Sequence, residues 1–103
     1  NEFKHVNWIE NPVNAESGDR HSYFTYCIKV PDRDRLANFL LENGIYTTLR
    51  YHPLHLNPIY KSTNLCLKNS EILNKKGLNI PLHPRLTDAD VNKVIQKIKS
   101  FNI

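Results

Sequence analysis

Apolar and polar side chains alternate along residues 21–30, and a period of two predicts a β-strand. The expected core-facing positions are Phe24, Tyr26, Ile28 and Val30. The opposite face carries Tyr23 and Cys27, which are too apolar for full exposure to water. We therefore expect another surface to cover this second face.

Apolar residues after this strand recur at helical spacing. Leu36, Phe39 and Leu40 form one stripe, which predicts a helix that packs against the strand. Asp32 is the predicted N-cap of this helix, because its carboxylate can accept a backbone N–H of the first turn. Gly44 is the predicted residue at which the helix stops.

Residues 45–50 return to a strand pattern, because most of them are β-branched, aromatic or aliphatic. Tyr46 and Thr48 share one face, together with Arg50 at the strand end. A strand, a helix and a second strand form a β-α-β unit, whose crossover is right-handed in nearly all proteins.

The first helix and the strand predicted in the second half of the chain are short. A helix is predicted to begin at Asn69 or Ser70, and residues 78–80 predict a short strand. Thr87 and Asp90 form a variant of the capping box, with Asp where Glu is usual. They predict the start of a last helix, which carries an apolar stripe.

The element order β-α-β-α-β-α predicts an α/β (α+β) fold, with a small three- to four-stranded sheet and helices on one face. The side chains expected on the bare face are Tyr23, Cys27, Tyr46 and Thr48. Residues 1–20 contain turn signals and predict an irregular lead-in. Residues 21–103 are the predicted folded domain.

Chemically versatile side chains are concentrated between residues 50 and 60. They are Arg50, Tyr51, His52, His55 and Tyr60. An ordinary turn needs Gly, Asn or Asp, and has no need of a guanidinium, two imidazoles and two phenols. Rigid scaffolds often present functional groups on such loops. The loop is therefore predicted to bind an anionic or polyhydroxylated ligand.

Chain length, net charge and the spacing of the basic residues limit the functions that the chain can have. The chain has 103 residues, which favours one domain, and a net charge of +4. Its basic residues are spread out, whereas nucleic-acid binding usually needs a clustered stripe. The mild positive charge also suits a phosphorylated small molecule.

No complete catalytic set or metal site is predicted. His52 and His55 are three residues apart, but a metal site needs a third ligand, and no carboxylate is near them in sequence. The three glycines form no phosphate-binding loop. Neither Lys29 nor Lys75 lies in the apolar setting that marks a Schiff-base lysine.

Cys27 and Cys66 are isolated cysteines, which favour reduced thiols in a cytoplasmic protein. No apolar run approaches the ~18 residues that a membrane-spanning helix needs. The chain begins at Asn and contains no Met, which favours a piece of a longer protein.

Four sequence blocks follow one another in a characteristic order. They are His21-Ser22-Tyr23-Phe24, Asp32-Arg33-Asp34-Arg35-Leu36, Gly44 to Tyr60, and Leu78-Asn79-Ile80-Pro81-Leu82-His83-Pro84 with Leu86-Thr87-Asp88. With this order and spacing, residues 20–101 resemble the carboxy-terminal small domain of the DegT/DnrJ/EryC1/StrS aminotransferases. Each block alone is weak, and the ordered set is what makes the resemblance specific.

The resemblance implies a pyridoxal-phosphate enzyme that aminates keto sugars attached to nucleotides, for surface polysaccharide or deoxyamino-sugar synthesis. It implies a homodimer of fold type I, in which an amino-terminal large domain holds the cofactor and its lysine. Residues 21–103 would then be the small domain. No cofactor-lysine motif is present here, so the chain alone is expected neither to bind pyridoxal phosphate nor to transaminate.

By analogy with the family, residues 51–55 face the active site. His55 matches the most recurrent position of the family motif. Arg50, Tyr51 and His52 join it as predicted substrate-binding residues, and no catalytic, cofactor-binding or metal-binding residue is expected in the chain.

Two other functions remain open at the level of sequence. One is a stand-alone α/β module that binds a small ligand or a partner protein. The other is a nucleic-acid module of ferredoxin-like order, in which Tyr23 and Tyr46 would stack on bases, although no RNP-like motif accompanies them. An upstream large domain with a cofactor lysine would favour the aminotransferase over both.

Overall fold

A computed structural model describes residues 2–60 and 66–101, and shows a mixed arrangement of helices and strands. The strands are β1 (Tyr26–Lys29) and β2 (Gly77–Ile80), and the helices are α1 (Arg33–Glu42), α2 (Lys68–Lys76) and α3 (Asp88–Ser100). Two short 3-10 turns, Leu54–Leu56 and Pro58–Tyr60, lie between α1 and α2. Within these described ranges, every helix is too short or too polar to cross a membrane.

β1 and β2 pair antiparallel. One antiparallel bridge joins Glu10 to Lys29 of β1, and another joins Thr48 to Asn79 of β2. Four chain segments therefore lie side by side, but only two of them form strands in the described part of the chain. Because β1 and the segment around Thr48 are both antiparallel to β2, they run parallel to each other with β2 between them.

The expected count of three or four strands, in the order β-α-β-α-β-α, is not confirmed, and Pro81 supplies a physical reason. This proline follows β2 and has no N–H to donate to a ladder. The register of the Thr48–Asn79 bridge puts Tyr46 opposite Pro81, and the register of β1 and β2 puts Thr25 opposite the same residue. Asn79 exchanges its backbone hydrogen bonds with Thr48, so residue 81 would also face the Thr48 segment. The missing donor is therefore lost to residues 45–50, which form a bridge instead of a strand.

The hydrophobic core lies between one face of the two strands and the helices α1 and α3. Its fully buried side chains are Ile28, Val30, Leu36, Leu40, Leu78 and Ile98. Phe3 and Ile9 of the lead-in are also buried in this core. Burial of such a side chain contributes about 1.5–3 kcal/mol, so the lead-in adds to the stability of the domain.

The predicted core face of the first strand is confirmed at Ile28 and Val30 and wrong at Phe24. Phe24 is 70% exposed, because pairing with β2 begins only at Tyr26. Tyr23 before it has a φ of 47°, in the left-handed region that an extended strand does not use.

The opposite face of the sheet is exposed in part. Tyr23 and Tyr46 are exposed, whereas Asn79, which lies opposite Cys27 and Thr48, is buried. Near Gly77, however, Leu73 of α2 lies beside the sheet on the side that carries Cys27. Burial there raises the pKa of the Cys27 thiol. The expectation of helices on one face therefore fits α1 and α3 but not this end of α2.

The helix ends follow the sequence signals closely. Gly44 has a φ of 76°, which confirms it as the C′ residue at which α1 stops, directly after the C-cap Asn43. Thr87 and Asp90 form the complete capping box of α3, and the backbone and side-chain hydrogen bonds from Thr87 lower the pKa of the Asp90 carboxyl. Asp32 does precede α1, but its side chain makes no cap hydrogen bond and instead pairs with Arg35 at 3.2 Å.

One arginine ties the start of α1 to the junction of α2 and β2. Arg33 Nη1 donates to the carbonyl oxygens of Asn74 at 2.7 Å and Gly77 at 3.1 Å. These carbonyls belong to the end of α2 and the first residue of β2, so a charged donor satisfies acceptors that the helix itself leaves open.

Candidate functional site

The loop from residue 50 to residue 60, here called the 50–60 loop, is held by short-range hydrogen bonds. The backbone N–H of Tyr60 donates to the carbonyl of Asn57 at 2.9 Å. The side-chain Oδ1 of Asn57 accepts the N–H of Ile59 at 3.1 Å, which is an Asx turn. Pro53 is buried and fastens the loop to the body of the domain.

Three of the four predicted substrate-binding residues point into solvent. Arg50, Tyr51 and His52 are exposed, with Tyr51 exposed by 74%. The guanidinium of Arg50 lies 5.8 Å from the centre of the Phe24 ring and 5.9 Å from that of Tyr51. Both distances suit cation–π contacts, so two aromatic faces restrict where this charge can lie.

His55 is placed differently from the other three. Its side chain is only 6% exposed, and its Nε2 lies 3.5 Å from Oε2 of Glu71 in the first turn of α2. This distance is in the range of an ion pair, but neither atom has a hydrogen-bond partner within the described residues. His55 therefore lies inside the loop, against a helix, instead of on its outer surface.

Glu71 also acts on the thiol of Cys66. A hydrogen bond with Glu71, and the negative charge of its carboxylate, raise the pKa of the exposed Cys66 thiol. The raised pKa disfavours the reactive thiolate form. Glu71 thus lies between a buried imidazole and an exposed thiol, and this arrangement does not activate Cys66 as a nucleophile.

Arg50 lines one side of an open groove with a volume of ≈ 530 Å³. Thr48 and Asn79, which bridge the sheet, form part of its lining. The lining residues with aromatic or charged side chains are Phe24, Tyr46, Arg50, His83, Asp90 and Lys93. We call this cleft the Arg50 groove.

The Arg50 groove is bordered by more basic than acidic groups. His83 comes from the segment between β2 and α3, and Lys93 comes from the exposed side of α3. Asp90 is the single acidic residue among the described residues of the lining, and its carboxylate already accepts a hydrogen bond from the backbone N–H of Thr87. Arg can pair bidentately with phosphate and Lys adds a point charge, so the groove suits an anionic ligand.

The residues that line the groove differ from the site residues predicted from the sequence. Of the four predicted residues, only Arg50 lines the groove, and Tyr51 stays beside it through the cation–π contact. His83 and Lys93 were not predicted as site residues. The position of His83 between Pro81 and Pro84 was the one local sequence signal for a functional role. Lys93 has no such signal, because its pattern is that of an ordinary exposed helix residue.

No metal site emerges near these groups. Across residues 2–60 and 66–101, no three His, Cys, Asp or Glu side chains are grouped closely enough to hold a metal ion.

Comparison with known proteins identifies the family. The model of the DegT/DnrJ/EryC1/StrS aminotransferase family matches residues 1–99. The chain belongs to this family. Its members depend on pyridoxal phosphate.

Relatives of this aminotransferase chain include sugar aminotransferases. The chain is 38% identical over 90 residues to dTDP-4-dehydro-2,3,6-trideoxy-D-glucose 4-aminotransferase of Saccharopolyspora spinosa, a match that covers 85% of the chain and 23% of that protein. It is 33% identical over 95 residues to GDP-perosamine synthase of Caulobacter vibrioides, covering 86% of the chain and 25% of that protein.

A solved aminotransferase has the same fold in the matching part. The crystal structure of the aminotransferase TlmJ from Streptoalloteichus hindustanus superposes with a TM-score of 0.90 at 33% identity. The superposition covers 96% of the chain and 27% of that structure. The chain thus spans about a quarter of the length of the relatives it matches.

The described residues of this aminotransferase chain do not fit the cofactor itself. A lysine that binds pyridoxal phosphate covalently needs a dry pocket that lowers its pKa. None of the lysines that the structure describes is buried, and Lys29, which is half-buried, pairs with Glu10 at 2.7 Å.

Proposed function

We propose that this chain is the substrate-facing small domain of a pyridoxal-phosphate aminotransferase that acts on nucleotide-linked keto sugars. The products would serve surface polysaccharide or deoxyamino-sugar synthesis. In this proposal the chain is inactive alone and works with an amino-terminal large domain of the same protein, in a cytoplasmic homodimer. The family match over residues 1–99 and the relatives that act on dTDP- and GDP-linked sugars support it.

The Arg50 groove is the structural observation that carries the proposal. A nucleotide sugar has a diphosphate and many hydroxyls, and the groove presents Arg50, His83 and Lys93 beside two aromatic rings. A guanidinium and an ammonium match phosphate oxygens, and the rings match the flat faces of a base or a sugar. The exposed position of Arg50 leaves its donors available to a ligand.

The four predicted residues take different parts in this proposal. Arg50 binds phosphate, while Tyr51 and His52 offer exposed hydroxyl and imidazole groups to the sugar. His55 contributes from inside the loop, because its side chain is almost fully buried. Its role is to hold the 50–60 loop so that the other three side chains meet the substrate.

Pyridoxal phosphate supplies the electron sink for amino transfer, and we propose that residues outside this chain hold it. The domain would then orient the sugar nucleotide and exclude water from it. The exposed face with Tyr23 and Tyr46 would lie against the large domain or the dimer partner, since apolar patches of this kind mark interaction sites.

Borohydride trapping tests where the cofactor is held. The complete protein that carries this chain is loaded with pyridoxal phosphate, reduced and digested, and the labelled peptide is sequenced by mass spectrometry. We expect one labelled lysine, located outside residues 1–103. A stable label on a lysine of this chain would contradict the proposal that residues outside this chain hold the cofactor.

A further inference from the structure

His55 and Glu71 form the one pair of fully buried side-chain polar atoms in the described residues that lack a hydrogen-bond partner. Their Nε2 and Oε2 atoms face each other at 3.5 Å. His55 belongs to the 3-10 turn of the 50–60 loop, and Glu71 to the first turn of α2. The contact therefore joins the 50–60 loop to a helix.

Each atom of this pair depends on the other. An imidazole nitrogen or a carboxylate oxygen that is buried alone loses its hydration without compensation. A charge-assisted bond between them has its optimum at about 2.7–2.9 Å, so a shift of somewhat more than half an ångström closes the contact. The exposed fraction of the Glu71 side chain is 32%, but its Oε2 atom is buried.

The location of the pair connects it to the Arg50 groove. Arg50 and Tyr51 lie at the start of the 50–60 loop, and the loop is fastened by the buried Pro53 and by His55. Beyond these two residues, the outer side chains of the loop, including Leu54 and Ile59, are exposed. Loss of the contact with α2 would therefore free most of the loop.

We propose that Glu71 is a positioning residue, which holds the buried His55 and thereby fixes the 50–60 loop in its substrate-facing conformation. This inference rests on the function proposed above for the loop. Glu71 touches neither substrate nor cofactor in this proposal, and it acts only through His55.

Hydrogen exchange in the complete protein tests the inference. The variants are Glu71→Ala, His55→Ala and the double variant, with Glu42→Ala on the exposed side of α1 as the control. We expect backbone amides of residues 53–60 to exchange about tenfold faster in each single variant, while peptides from β2 and α3 keep their rates. The double variant should exchange no faster than either single variant, because the two side chains act as one unit.

Steady-state kinetics on the same samples separates the inference from the proposed function. We expect Glu71→Ala to raise the KM for the nucleotide sugar about tenfold with little change in kcat. Faster loop exchange with an unchanged KM would support the pair but refute the substrate-facing role of the loop. Unchanged loop exchange, or an equal rise in every peptide, would overturn the inference itself.

Glu71→Gln keeps the size of the side chain and provides a folded sample if Glu71→Ala does not fold. Its amide oxygen still accepts a hydrogen bond from Nε2 but carries no charge. We expect loop exchange between that of the wild type and that of Glu71→Ala. A Gln variant identical to the wild type would still support the pair, because the neutral oxygen keeps the hydrogen bond. Wild-type exchange and KM in Glu71→Met, which fills similar space without an acceptor oxygen, would reduce Glu71 to a space-filling role and overturn the proposal.

Discussion

Arg50→Ala in the complete enzyme should raise the KM for the nucleotide sugar by about 10- to 150-fold, the effect of losing one hydrogen bond to a charged group. The side chain is exposed and lines the Arg50 groove, so its removal leaves the core unchanged. Stability and cofactor content should remain those of the wild type. Steady-state kinetics with thermal unfolding of the same samples measures both effects.

Two variants sharpen the Arg50 prediction. Arg50→Lys keeps the charge but loses the planar fork, and should recover only part of the affinity. Arg20→Ala removes an exposed guanidinium from the lead-in and should leave the KM unchanged. A normal KM in Arg50→Ala, or the same rise in Arg20→Ala, would show that the groove does not bind the phosphates.

Gly77→Ala should destabilise the domain by about 1–3 kcal/mol. Gly77 looks in the sequence like an ordinary stop of α2, but its φ is −74°, which any residue can adopt. The constraint is steric, because an added Cβ would lie 2.6 Å from the Leu73 carbonyl oxygen and 3.1 Å from its Cδ1. The first contact involves backbone, so α2 must move away from β2.

The neighbouring Lys76→Ala is the control for this stability prediction. Lys76 is exposed at the end of α2, and its replacement should change the stability by less than about 0.5 kcal/mol. Urea unfolding of the 103-residue chain can be followed by Trp8, its single tryptophan, which packs edge-on to Phe101. Equal unfolding midpoints for Gly77→Ala and the wild type would show that α2 can move away from β2 without loss of stability.

Local signals in the sequence were sufficient for much of the fold. The capping box of Thr87 and Asp90, the stop at Gly44 and the burial of Ile28 and Val30 are all confirmed. Each of these depends on residues within a few positions, where side-chain chemistry and backbone geometry are coupled directly.

The sheet could not be predicted from such local patterns. Residues 45–50 have good strand propensity, but their pairing depends on β2, which Pro81 ends after Ile80. β1 has no paired partner beyond Tyr26, because β2 ends at Ile80, and Phe24 is therefore exposed. The length of each strand thus depends on a residue far away in the chain, and local strand propensity contains no information about that residue.

The candidate site could likewise be predicted only where it depends on local sequence patterns. The cluster of polar side chains in the loop predicts a site after residue 50, and Arg50 lines the groove there. The groove partners His83 and Lys93, and the contact between His55 and Glu71, join segments that are distant in sequence. A single sequence predicts such side chains only as solvated surface, because nothing local reveals what will lie opposite them.

A hydrogen-exchange footprint of the substrate tests whether the 50–60 loop and the Arg50 groove bind the nucleotide sugar. The complete protein is compared with and without a saturating nucleoside-diphosphate sugar, and peptides from this chain are followed. We expect slower exchange in residues 50–60 and in the segment around His83, with no change around Gly18 in the exposed lead-in. Unchanged exchange in the 50–60 loop, with substrate bound and turned over, would contradict binding at this site.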